Sequence, residues 1–115
     1  MFFNRKEKIL NRSIELGMEF GENWLKPIDD RIKKEYPMIS SQRLAELSEI
    51  INDTRDYGLK LVLECIEGSE SQDEAFEKLE NGRENIFQLI RERVPGISEE
   101  NVNKVYSQSI YYSRK

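Results

Sequence analysis

The chain contains no histidine and a single cysteine, Cys65. The first absence removes Ser-His-Asp and Cys-His catalysis, His-ligated zinc and the Glu-x-x-His di-iron bundle. The second excludes an internal disulfide and any multi-cysteine metal site. Proline is scarce, and Pro27, Pro37 and Pro95 punctuate the chain rather than gather into a linker. Long apolar runs are missing too. The longest, Leu59 to Ile66, is broken by Lys60 and Glu64, far short of the ~20 residues a membrane span needs. There is no phosphate-cradling glycine loop, nucleophile elbow or dinucleotide fingerprint, so no cofactor is expected. The opening Met-Phe-Phe-Asn-Arg-Lys-Glu-Lys puts its charges after a very short apolar start, the reverse of a secretory signal. With one unpaired cysteine, the expectation is a cytoplasmic protein without membrane contact. Asn11-Arg-Ser and Asn52-Asp-Thr match the glycosylation tripeptide, but matches at about this frequency arise by chance.

Charge is what the chain has in abundance. Charged residues make up 35% of the 115 positions, against about 25% in an average globular protein. The net charge of −4 is uneven: +2 over residues 1–34, −9 over residues 35–100 and +3 over the last fifteen. A nucleic-acid binder displays a basic stripe. The acidic middle argues for no nucleic-acid partner and for a solvated polar face. The length suits one domain, residues 1–115, able to bury roughly two thirds of its unfolded surface.

Apolar residues recur at helical spacing, and no stretch sustains strand alternation. A first helix is predicted over about Asn4 to Leu25, with Leu10, Ile14, Gly17, Met18, Gly21, Trp24 and Leu25 on one stripe and Ile9, Leu16 and Phe20 on a second. A short second helix follows Pro27, with Asp29 and Asp30 in its first turn and Lys33 and Lys34 in its last, complementing the dipole. Ser40 or Ser41 caps a third helix over about Gln42 to Glu67. Its second half, Tyr57 to Ile66, is apolar almost all round and is predicted to be the most buried segment. Ser71-Gln-Asp-Glu74 is a capping box. It opens a fourth helix with a seam of Ala75, Leu79, Gly82, Ile86 and Leu89, widened by Phe76, Phe87 and Ile90, and stopped by Pro95-Gly96. Ser98 caps the last helix, whose inner face is Val102, Val105, Tyr106, Ser109 and Ile110. The expected fold is all-α: a compact bundle of four main helices plus one short helix.

Five features could carry chemistry or a contact. Glu46-Leu-Ser-Glu49 and Glu64-Cys-Ile-Glu67 place carboxylate pairs on the third helix. Such pairs can hold Mg²⁺ against a phosphate chain, the chemistry of an all-α nucleotide phosphohydrolase. Against this, all four project away from the apolar stripe of Leu44, Leu47, Ile51 and Val62, whereas a catalytic cluster converges on a cleft. An EF-hand register from Asp53 puts Gly58 at position 6 and Glu64 at position 12, but Arg55 and Tyr57 occupy ligand positions 3 and 5. Arg55 falls on the apolar stripe. Its head can snorkel to water, pair with a carboxylate of another helix, or meet an anionic ligand. Cys65 lies on the same stripe without a nearby base and reads as a small core residue. Gly17 and Gly21 cost the first helix about 1 kcal/mol each relative to Ala. A close backbone crossing would offset that cost, within the chain or against a second copy.

The residues are read as a small cytoplasmic helical module for protein interaction or regulation, acting on a protein partner or on itself as a homodimer, with no catalytic signature. Leu16, Gly17, Phe20 and Gly21 are its candidate interface. The alternatives are the Mg²⁺-dependent phosphohydrolase built on Glu46, Glu49, Glu64 and Glu67, and an acidic decoy presenting residues 64–84 to a basic partner.

Overall fold

The computed structural model describes residues 4–19 and 27–114, and among them it contains five helices and no strand. They are α1 (Arg5–Gly17), α2 (Ile28–Glu35), α3 (Ser41–Ile66), α4 (Gln72–Arg93) and α5 (Glu99–Ser113). Four of the five starts carry a side-chain cap, and α2 follows Pro27 without one. Asn4 Oδ1 accepts from Glu7 N–H at 2.8 Å while Glu7 reaches back to Asn4 N–H, a complete capping box. Ser40, Ser71 and Ser98 accept from Arg43, Glu74 and Asn101 N–H groups. The box expected at Ser71 is half-made: Glu74 accepts from Glu70 N–H at 2.8 Å, one residue before the cap. Gly68 and Gly96, with φ of 78° and 90°, make the turns after α3 and α4.

Helix α3 packs along both α4 and α5, which also touch each other. Helices α1 and α2 clothe the first half of this three-helix body. Gly17 lies against Ile51 and Ile28, and Ser48 Oγ donates to Asp29 at 3.2 Å. Ile14, Ile32, Leu47 and Ile51 are fully buried there. A polar clasp ties α1 to the start of α5. Asn101 Nδ2 donates to both the carbonyl and Oδ1 of Asn11 at 2.9 Å, and Asn11 Nδ2 donates to Gly96 O at 2.9 Å. Asn11, one of the two chance glycosylation matches, is thus a buried structural residue.

Three expectations need correction. Helix α1 ends at Gly17 rather than Leu25, and Met18 turns into the core. The carbonyls of Leu16 and Gly17, which a continuing helix would offer to N–H groups four residues on, accept from Arg31 and Arg55. The predicted stripe positions Phe20, Gly21, Trp24 and Leu25 lie outside the described residues. Second, Tyr57–Ile66 is not the most buried segment. Within it Gly58 and Val62 are buried, while Leu63 is 45% exposed. The cause is coverage: α1 and α2 lie against the first half of α3 and leave the second half to α4 and α5 alone. Third, the buried seam of α4 runs Leu79, Ile86, Phe87 and Ile90, with Leu89 half-buried and Phe76 outside.

Candidate functional site

The carboxylate pairs stay apart. Glu46 is held by Arg43 at 3.1 Å, and with Glu49 and Asp53 it borders a shallow surface around Ile50. Glu64 and Glu67 are exposed, about 27 Å further along the helix axis at 1.5 Å per residue. Among the described residues no group of three or more acidic or cysteine side chains is arranged to hold a metal ion. Asp53 makes a two-point contact with Arg93 at 2.8 and 3.0 Å. That hydrogen-bonded pairing holds its carboxyl below the usual aspartate range.

The candidate interface on α1 lies inward where it is described. Leu16 is buried, and a Cβ built on Gly17 would sit 2.5 Å from Ile51 Cγ2. The close crossing that the glycine implied is made within the chain, against α3. Phe20 and Gly21 lie outside the described residues.

Arg55 is half-buried. Its Nη2 donates to Gly17 O at 2.6 Å, and Arg31 Nη1 donates to Leu16 O. Two guanidinium groups thus cap the negative end of α1. Burial, and then the neighbouring charge of Arg55, push Arg31 below the ordinary arginine value, with Glu19 pulling the other way. Both of these donors aim at the chain's own backbone, and the Nε of each guanidinium is buried without a hydrogen-bond partner among the described residues. Arg31 was legible in principle, since it falls within about 60° of Ile28 on the buried edge of α2 at 100° per residue.

A further recess among the described residues lies at the other end of the molecule. The C-terminal turns of α3 and α5 and the first turns of α4 enclose a groove of about 360 Å³. Its apolar wall is Ile66, Ala75, Phe76 and Leu79, and Phe76 is 58% exposed. Ser69 Oγ lines it, buried and without a hydrogen-bond partner among the described residues. Glu70 borders it on the loop side and Arg114 on the α5 side. Beneath it, Tyr106 donates to Leu79 O at 3.1 Å and packs edge-on to Phe87 at 5.3 Å. Burial raises the Tyr106 phenol above its ordinary value, with Cys65 adding to the shift. Cys65 donates to Lys78 O at 3.3 Å and lies half-buried beside Gly82, as a packed structural thiol. Leu79, in the groove wall, is thus backed by Tyr106 and, through it, Phe87. Helical spacing alone places Phe76 beside the seam of Ala75 and Leu79; the acids Glu70, Asp73 and Glu74 just before it are the sequence signal of a solvated edge.

No helix among the described residues is long and apolar enough to cross a membrane. Compared with known proteins, the chain matches no family model, no curated protein and no solved structure.

Proposed function

We propose that this chain is a helical protein-interaction module that engages its partner through the open end of the α3–α4–α5 body. The observation that carries the reading is Phe76, which is 58% exposed on the wall of an apolar groove. Scattered exposed apolar residues are ordinary. An exposed aromatic beside a recess is the usual form of an interface anchor. The volume, about 360 Å³, is at the small end of ligand sites and suits one or two large side chains of another polypeptide. Leu79, buried in the groove wall with its carbonyl accepting from Tyr106, gives the recess a packed side, which limits the ordering cost of docking.

The test is site-directed photocrosslinking in cells that express the chain. A benzophenone side chain at position 76 is compared with one at exposed Asn103 on α5. One discrete adduct from position 76, absent from position 103, is the expected result. Excess wild-type protein chases it and Phe76→Ser protein does not. Equal adducts from both positions, or none from 76, overturn the proposal.

A further inference from the structure

Another recess lies between α3 and α5 and, among the described residues, shares no lining residue with the groove at Phe76. Arg55, Asp56 and Leu59 line it from α3, and Gln108, Ser109 and Tyr112 from α5. The two helices cross closely beside it: a Cβ built on Gly58 would sit 2.6 Å from Ser109 Oγ. Gln108 is 4% exposed, yet its Nε2 is buried without a hydrogen-bond partner among the described residues. Arg55 gives Nη2 to Gly17 O and leaves its Nε buried and equally unpartnered. Buried polar groups are nearly always satisfied, by protein, water or ligand. Two orphaned donors that reach one recess from different helices therefore call for an acceptor from outside the chain. Asp56, an exposed carboxylate on the same lining, adds a demand of the opposite sign.

We infer that this recess binds a free α-amino acid with a small apolar side chain. The ligand carboxylate accepts from Arg55 and from Gln108, whose terminal amide turns about its soft χ3 torsion to meet it. The ligand ammonium group pairs with Asp56, and its side chain lies against Leu59 and Tyr112. A simple carboxylate would leave Asp56 facing an anion. A simple amine would leave the guanidinium and the buried amide unmet. Volume sets the size: about 190 Å³ is room for roughly six waters at about 30 Å³ each. That suits alanine or valine and excludes an aromatic amino acid or a peptide. The site is independent of the interaction reading above.

The full chain is titrated with alanine, valine, propionate, alaninamide and tryptophan, and binding is read from the side-chain resonances of Arg55 Nε–H and Gln108 Nε2. Alanine and valine should move both saturably. Propionate lacks the ammonium group and alaninamide the carboxylate, so each should bind at least about tenfold weaker. Tryptophan should not bind. Gln108→Met keeps the length of the side chain without its donors and should weaken alanine about tenfold or more. It removes an orphaned buried amide, so the urea midpoint should not fall, which separates lost binding from lost folding. Asp56→Asn, at an exposed position, should erase the preference for alanine over propionate. No saturable shift with alanine or valine up to about 10 mM overturns the inference and leaves the donors to water. Propionate binding as tightly as alanine, or alanine binding unchanged in Gln108→Met, overturns it too. Phe76→Ser should leave these affinities unchanged, so failure here does not touch the groove at Phe76.

Discussion

The two halves of α3 relate composition to burial in opposite ways. Residues 41–54 are mixed in character, yet Leu47, Ser48, Ile51 and Thr54 are all buried. Residues 55–66 include Leu59, Leu61, Val62, Leu63, Cys65 and Ile66, yet Gly58 and Val62 alone are buried. The difference is the number of neighbours. Four other helices surround the first half and two accompany the second, so apolar content there is in surplus to what the fold covers. The core half can even bury polar groups, because Thr54 donates to Ile50 O at 2.6 Å and Ser48 to Asp29. The first half is core, whereas in the second Leu61, Cys65 and Ile66 are packed at its edge and Leu63 is exposed.

The sharpest way to break that comparison is to truncate one aliphatic side chain in each half. Ile51→Ala removes a fully buried side chain and should cost about 2–5 kcal/mol. Leu63→Ala, on the same helix, should change stability by less than about 0.5 kcal/mol. Urea unfolding of the two variants, compared at constant m-value, is the measurement. Equal costs would mean that the second half is as much a part of the core as the first.

The polar clasp gives the next effect. Asn101→Ala strips the two hydrogen bonds to Asn11 and leaves a buried carbonyl without its side-chain donor. The expected loss is about 2 kcal/mol. Hydrogen exchange should show it first in α1, while α4 and the far end of α5 stay protected. Uniform loss of protection would deny that the clad half has its own fastening.

Tyr106 probes the floor of the open end. Tyr106→Phe removes the hydrogen bond to Leu79 O and should cost about 1 kcal/mol at neutral pH. Its phenol titrates above its ordinary value in the folded state. Below the unfolded tyrosine value of about 10, both states are protonated and the contribution is intact. As pH rises past that value the unfolded chain ionises first, so stability falls until the folded phenol also ionises. Unfolding curves between neutral pH and pH 11 should therefore decline less steeply in the variant. Tyr36, shifted the same way chiefly by burial, leaves a remainder of the slope. A variant with the wild-type slope would mean that the groove floor admits water.

Much of the architecture was legible because its causes are local. Helical spacing, serine caps and the three prolines are one-dimensional signals, and each names its own element. What was not legible depends on which element covers which. Nothing in Leu59-Lys-Leu-Val-Leu reports that α1 stops at Gly17 and leaves that segment without a third neighbour. The stop itself depends on Arg31 and Arg55, which lie 15 and 38 residues from the carbonyls they cap. The carboxylate pairs show the same limit from the other side. Spacing puts Glu46 beside Glu49 and Glu64 beside Glu67, but nothing local says whether a second helix brings the pairs together. Asn11 and Asn101 were hidden because an asparagine on an apolar stripe looks like noise until its partner, 90 residues away, is in view.

The smallest expected effect is also the one on which the open end depends. Phe76 is in the second turn of α4, 58% exposed, so replacing it removes little surface that folding buries. Serine and phenylalanine have similar helix propensities, and the Ser71 cap is one turn away and untouched. Phe76→Ser should therefore shift stability by no more than about 0.5 kcal/mol. It removes the largest apolar contribution to the groove wall while leaving Leu79 and Tyr106 in place. A loss above about 1.5 kcal/mol would instead match the truncation of a core aromatic. Phe76 would then be holding α4 against its neighbours, and the open end of the bundle would have no anchor to offer a partner.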